Sequence, residues 1–572
     1  MVEKLRKSLR ESKTARWFAL IVVSFTMLCG YYLTDVMAPL KGLLEQQLGW
    51  DSAEYGIFTS AYGWFNVFLF MLIIGGIILD RMGVRFTGFM ATMTMVIGIA
   101  IKYWAVSTHS LDGIVWDVWF FKAKAQVLMA GLGYAIFGIG VEVAGITVSK
   151  IIVKWFKGKE MALAMGLEMA MARIGTGIAI GTSLPLAKWL GHVSMPVLVG
   201  LIMSCIGMIS FIIYIMQDKK LDAEIANDPE LNKNAESEET FKLKDLIKII
   251  TNKAWWFIAI LCVLFYSSVF PFLKYATDLM INKFGINESI AGAIPALLPF
   301  GTIILTPFFG NLYDRKGKGA SIMIIGSLML IFVHAMFSIP FLNFWLIAIL
   351  LVVILGIGFS LVPSAMWPSV PKIIPEKQLG SAYALIFWVQ NWGLMGVPAL
   401  IGWVLNKYSF LGYVCIVGTG LTVDQGGDVK YINIDNNQQI ELSQPGLIYQ
   451  KDKVYNVKEF VKKETGEIEA IITSDDEKID AKFISESKLK KAQKKNELEL
   501  YEYYYGDKLV KSFITTAGEE IPKFSNVRSS YDYTLPMMIF TGFGLLALIF
   551  ALLLKAEDKK KGYGLQLPNI QK

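Results

Sequence analysis

The sequence predicts an all-α membrane protein: twelve transmembrane helices in two six-helix pseudo-repeat bundles, with a β-rich extracytoplasmic insertion between helices 11 and 12. Three observations carry that prediction. The 572-residue chain is 54% hydrophobic and only 18% charged, with a mean hydropathy of +0.48, which is more apolar surface than a soluble fold of this length has to bury. Its apolar runs are long enough to span, since about 20 residues rising about 1.5 Å each cross about 30 Å of hydrocarbon. Finally, Gly76, Asp80, Arg81 and Gly83 recur at identical spacing as Gly310, Asp314, Arg315 and Gly317, 234 residues later and each time behind a long apolar run. A charged turn repeated once per half marks a duplicated bundle. Two similar halves that rock around a central site are the machinery of a secondary transporter.

Residues 1–216 read as the N-terminal bundle, with spans near 17–41, 56–79, 86–106, 126–149, 162–190 and 194–216. The basic stretch before Trp17 resembles a signal-peptide n-region, yet the apolar run behind it is too long and lacks a small-residue cleavage site, so it stays as the first span. Residues 217–253 are polar, broken by Asp228 and Pro229, and read as a cytoplasmic linker; its amphipathic part near 241–250 fits either a surface helix or a solvated tether. Residues 254–408 supply helices 7–11, near 254–280, 289–312, 320–340, 343–367 and 381–406. Residues 533–555 supply helix 12, and 556–572 a cytoplasmic tail.

The insertion, 409–532, stands where a short turn would suffice. Alternating patterns at 429–434 and 439–442 around a polar turn predict a β-hairpin, and Ile468–Thr473 and 482–484 predict further strands. The lysine- and glutamate-rich stretch 486–500 predicts a helix. The domain reads as a docking module for a protein partner, a cap over the substrate entrance, or a decoration without a transport role.

Orientation follows from Lys and Arg. Arg81 and Arg85, Lys150, Lys154, Lys157 and Lys159, Lys219 and Lys220, Arg315 to Lys318 and Lys555 to Lys561 gather on the side of the basic N-terminus. Both termini are therefore expected in the cytoplasm, and with no evident organelle signal a bacterial inner membrane is the expected host. The net charge of +7 reflects this bias and shows no basic patch for nucleic acid. The four cysteines form no disulfide framework or metal-ligand spacing. No metal, cofactor or enzymatic motif is expected, and no nucleotide-binding loop supports a pump.

An ionisable group in hydrocarbon faces a partner or a wet cavity. Asp35, Lys102, Glu142, Glu168, Arg173, Lys274, Asp278 and His334 lie within predicted spans. Glu142 and Arg173 form the leading pair, because both sit well inside spans among small residues and opposite charges suit a zwitterion. Arg173 can hold a carboxylate by two parallel hydrogen bonds while Glu142 receives an ammonium; the plainer reading is a salt bridge between helices 4 and 5. Asp35 and Glu168 are alternative proton-coupling sites, a helix cap and an ion-pair member being the competing roles. Trp367 heads the aromatic residues that fit a cavity wall. Asp80, Arg81, Asp314 and Arg315 read as conformational latches, paired in one state and parted in the other.

The two charged turns resemble the signature loop of the major facilitator superfamily, which implies two six-helix bundles and alternating access over all but the insertion and tails. A narrower likeness lies in Trp155 to Glu160, Met171 to Gly175, Ala365 to Pro368, Gln378 to Tyr383 and Gln390-Asn391. These resemble the lysosomal dipeptide uniporter group. In that group a glutamate of the fourth span and an arginine of the fifth line the dipeptide site, and Glu142 and Arg173 fall on those positions. The group also uses a lysine of the seventh span; here Lys274, displaced by about one turn, either takes that role or snorkels to the surface. The resemblance implies transport of small peptides, with proton-driven uptake of small organic or inorganic anions as the alternative. In a third reading the membrane part anchors the inserted domain, which does the work.

Overall fold

The computed structural model describes residues 12–118, 121–156, 160–226, 243–375, 378–416 and 527–568, together with the strands between 422 and 516. The chain divides into two compact units, one of Met1–Leu40, Ala53–Val404 and Tyr533–Lys572, the other of Lys41–Ser52 and Leu405–Asp532.

The first unit is helical, and among the described residues eleven helices are long and apolar enough to cross a membrane. Their ends are set locally. Ser12 accepts from the Ala15 amide and Asn252 from those of Ala254 and Trp255, satisfying first-turn donors. Gly191, Gly285 and Gly562 close three helices in the left-handed conformation that glycine adopts without strain.

The second expected span, 56–79, is not one helix. Ser52–Ser60, a tight turn at Ala61–Gly63 and Trp64–Phe68 precede Phe70, whose φ of 52° interrupts the hydrogen-bond ladder before Met71–Ser107 begins. That last element is itself divided at Gly83, with φ 76° and ψ 173°. Its counterpart Gly317, with φ 67°, ends Ala293–Lys316. The final glycine of each charged turn is thus required by backbone geometry.

Elsewhere small residues allow close crossings. A Cβ at Gly98 would lie 2.4 Å from the Phe137 nitrogen, and one at Gly133 would lie 2.5 Å from the Lys102 nitrogen. Met71–Ser107 and Ala125–Phe156 therefore touch backbone to backbone. Gly98→Val is expected to push them apart and leave little monodisperse protein on size-exclusion chromatography in detergent, whereas Gly76→Val, with nothing within 4 Å of its Cβ, should elute normally.

The helices before residue 226 and those after 253 meet at the end opposite the charged turns. There the Tyr55 hydroxyl donates to the Lys274 carbonyl at 2.8 Å, the Trp388 indole donates to the Val67 carbonyl at 3.1 Å, and Lys188 pairs with Glu288. A Cβ at Gly56 would lie 2.9 Å from the Pro398 oxygen, and one at Gly292 would lie 2.3 Å from that of Ile180. At the other end Gly166 and Gly310 have nothing within 4 Å of a Cβ, and Ile304 and Phe308 are 75% and 60% exposed. The halves are closed at one end and parted at the other.

In the second unit, Glu45 accepts from Lys41 at 2.6 Å, Ser52 at 3.3 Å and Tyr531 at 2.9 Å. A six-stranded sheet runs in the order Lys478–Asp480, Ile468–Thr473, Lys453–Lys462, Leu447–Gln450, Phe410–Ile416, Val527–Tyr531. Its pairs are antiparallel except Phe410–Ile416 with Leu447–Gln450. Lys430–Ile432 pairs with Gln439–Glu441, the turn between them lying outside the described residues. So does 486–497 of the expected helix. Leu498 instead opens a strand, Leu498–Tyr505, paired with Lys508–Thr516; its tyrosines favour extended backbone. Of the expected linker, 217–226 continues the helix Met195–Ala226, 243–250 is helical, and 227–242 lies outside the described residues.

Candidate functional site

Glu142 projects from Ala125–Phe156, and its Oε1 accepts from the Tyr62 hydroxyl at 2.9 Å. Arg173 projects from Met161–Leu190. Its guanidinium carbon stands 5.9 Å from the Tyr31 ring, 5.6 Å from Phe270 and 5.3 Å from Phe359, so this cation of the first half faces aromatic rings of the second. Such rings attract a guanidinium without neutralising it. Both charges are half-buried, and among the described residues neither forms an ion pair. The salt bridge that the sequence left open between these helices is absent. The Tyr62 hydroxyl fixes the direction of the carboxylate.

Beyond Phe270 and Phe359 the aromatic wall continues through Tyr266, whose hydroxyl accepts from the Trp367 indole at 3.0 Å. Trp367 lies 5.0 Å from Phe387 and 5.8 Å from Tyr383 between centroids. Tyr32 is buried, while Trp388 and Trp392 meet Phe70 and Phe68 at the contact between halves.

Lys274 is placed differently from the expectation. It neither snorkels nor faces the Glu142–Arg173 region with a free ammonium; its Nζ donates to Asp35 Oδ1 at 2.7 Å, to the Thr34 carbonyl at 2.6 Å and to the Tyr134 hydroxyl at 3.3 Å. Asp35 Oδ2 accepts from Thr176 at 2.9 Å. Asp35 is thus neither a helix cap nor a lone carboxylate in this state: two buried opposite charges from different halves compensate each other. Glu168 is half-buried and has no hydrogen bond or ion pair among the described residues.

At the charged turns, Asp80 pairs with Lys150 at 3.2 Å, within the first half, and Arg81 and Arg315 are exposed. In this state Asp80 and Arg81, expected as latches, make no described bond to the second half; Asp314 has contacts of its own. Nearby, outside the spans, Glu160 accepts from Arg16 at 3.1 Å. A backbone hydrogen bond at its own position, with Arg16 beside it, holds its carboxyl below the ordinary range. Tyr62, Tyr134 and Thr176 were not singled out from the sequence. A hydroxyl inside an apolar run is the only mark they carry, and many packed residues share it.

The chain matches the Major Facilitator Superfamily over residues 20–398. It is 28% identical over 456 residues to the lysosomal dipeptide transporter MFSD1 of Mus musculus, covering 74% of this chain and 91% of that protein. It is 22% identical over 449 residues to a D-galactonate transporter of Escherichia coli O6:H1, covering 73% and 97%. The solved structure of a bacterial homologue of the human lysosomal transporter Spinster shares its fold, with a TM-score of 0.53 at 14% identity over 69% of this chain and 83% of that one. The family and these relatives are transporters rather than enzymes. With its repeated charged turns, multiple membrane-spanning helices and central charges between two halves, the chain belongs to the major facilitator superfamily and is a multi-pass membrane transporter of small molecules.

Proposed function

We propose that this transporter moves small peptides, dipeptides first, by alternating access, gripping the peptide carboxylate with Arg173 and its ammonium with Glu142. The observation that carries the reading is that these two charges stand in the interior, half-buried, and are not paired with each other. An interior that holds both signs unpaired with each other suits a ligand bearing both. The similarity to a dipeptide transporter over most of both chains supports it. Trp367 and the rings beside it would flank the peptide's side chains.

The rest of the sequence reading belongs to the same proposal. Twelve passes result when the broken second span is counted from Ser52 to the Gly83 division. The bundles are 1–216 and 254–408 with helix 12 at 533–555, joined by the linker 217–253, with an extracytoplasmic β-rich domain at 409–532 and a tail at 556–572. The loop-charge bias supports cytoplasmic termini, so the parted end opens to the cytoplasm, and a bacterial inner membrane is kept as the proposed host. The latches Asp80, Arg81, Asp314 and Arg315 would engage when that end closes.

A second reading, proton-coupled transport of small organic or inorganic anions, is favoured by the similarity to the D-galactonate transporter. It would use Glu168, or Asp35 when released, as the proton carrier. Purified protein in liposomes separates the readings: a panel of dipeptides is expected to accumulate only to equilibrium, with no gain from an imposed proton gradient. Gradient-driven uptake of a sugar acid with no dipeptide uptake would replace the first reading by the second.

A further inference from the structure

We propose that Asp35 exchanges lysine partners during the transport cycle, holding Lys274 in the state described here and Lys102 once the closed end opens. The two ammonium groups flank one residue: Lys102 Nζ lies 4.5 Å from the Tyr134 ring centroid, and Lys274 Nζ lies 3.3 Å from the hydroxyl of the same tyrosine. Lys274 binds the Thr34 carbonyl and Lys102 the adjacent Leu33 carbonyl at 3.2 Å. Both ammonium groups therefore lie beside the end of the helix that carries Asp35.

Lys102 is wholly buried, yet among the described residues its ammonium has no carboxylate partner. It has one carbonyl and the rings of Tyr134, Phe58 and Phe137. A lysine so placed is rare inside a membrane span and calls for a counter-charge at some point of the cycle. The tight contact of Gly133 with the Lys102 backbone fixes its Cα, so any change of partner is made by the four-carbon side chain.

Opening the closed end draws Lys253–Phe284 away from Lys13–Asp35 and breaks the three hydrogen bonds of the Lys274 ammonium. Lys274 then meets water. Asp35, 3% exposed, would keep only the Thr176 hydroxyl, and a buried carboxylate left unpaired is strongly destabilising. Lys102 belongs to the same half as Asp35 and travels with it, so it can take up the released charge. The open-outside state is thereby made reachable.

The test reads conformation rather than cargo, so its failure is distinct from failure of the peptide assignment. A Cβ at Gly181 lies 3.6 Å from that of Ala296, within the range of a disulfide of about 3.5–4.5 Å. In a cysteine-free full-length background, the pair Gly181→Cys and Ala296→Cys then reports the closed end by its rate of oxidative cross-linking without substrate. Lys102→Met is expected to raise that rate at least about threefold by disfavouring the other state; Asp35→Asn alone should lower it by loosening the Lys274 contact. Adding Asp35→Asn to Lys102→Met should bring the rate back to that of Asp35→Asn alone. Equal cross-linking of Lys102→Met and its parent would overturn the exchange. Should Lys102→Met not fold, rescue of folding by Asp35→Asn supports the pairing, and absence of rescue overturns it.

Discussion

Arg173→Ala is expected to abolish dipeptide uptake while leaving the protein folded. Truncating a buried partner of a charged hydrogen-bonded pair costs about 2–5 kcal/mol, which converts to a loss of roughly thirtyfold or more in affinity. The folded state should tolerate the change, because among the described residues Arg173 makes no salt bridge, Glu168 being only a charged neighbour, and it is flanked by the rings of Tyr31, Phe270 and Phe359. Arg173→Lys separates charge from shape. It keeps the positive sign but loses the planar fork and its contact with those rings, so an intermediate affinity is expected. Glu142→Gln should weaken dipeptides yet spare analogues whose amino group is acetylated, since the Tyr62 hydroxyl can still donate to the amide oxygen. Binding of a dipeptide panel by isothermal calorimetry checks all three. Wild-type affinity in Arg173→Ala would remove Arg173 from the site and the zwitterion argument with it.

The outline of the fold was legible in the sequence because the strongest signals there are long-range and redundant. Apolar length gives each span, and the duplicated turn gives the relation between halves; Gly83 and Gly317 then occupy the positive-φ positions that explain their recurrence. The broken second span was not legible. Phe70 carries the left-handed conformation with a side chain that gives no warning of it, and the pieces on either side are apolar enough to pass for one helix. The Glu142–Arg173 region was legible as chemistry, since charges in hydrocarbon are few, but their partners were not. Whether a lysine of the seventh helix faces a ligand or Asp35 depends on the rotation of one helix against another, and Lys274 resolved towards Asp35 and Thr34. The end of the helix expected over 486–500 was misread for a simpler reason. Local charge there suggested a helix, while Leu498–Tyr505 finds a strand partner just beyond it in the chain, in Lys508–Thr516.

Asp218→Ala is expected to be the most damaging single change to stability outside the backbone crossings. The sequence placed this residue in the polar linker, just past the sixth span, where a carboxylate ordinarily faces water. Because Met195–Ala226 continues for further turns, Asp218 is instead fully buried. Its oxygens accept from Lys154 at 2.9 Å, from the Trp155 indole at 3.1 Å and from the Tyr214 hydroxyl at 3.0 Å, with Arg85 at 3.6 Å. Three helices of the first half are fastened through one carboxylate. Alanine removes the acceptor and strands an indole donor and a hydroxyl in a buried site, with a cation beside them, a loss of about 3–5 kcal/mol. For a bundle of this size that corresponds to a fall in melting temperature of about 4–6 °C, read by tryptophan fluorescence or by the loss of monodisperse protein after heating. Asp218→Asn keeps one acceptor for the indole and should fall roughly half as far. Transport at low temperature should survive in both, because the site at Glu142 and Arg173 shares no bond with this cluster. An unchanged melting temperature in Asp218→Ala would mean that the charged end of the first half is held by its apolar contacts alone.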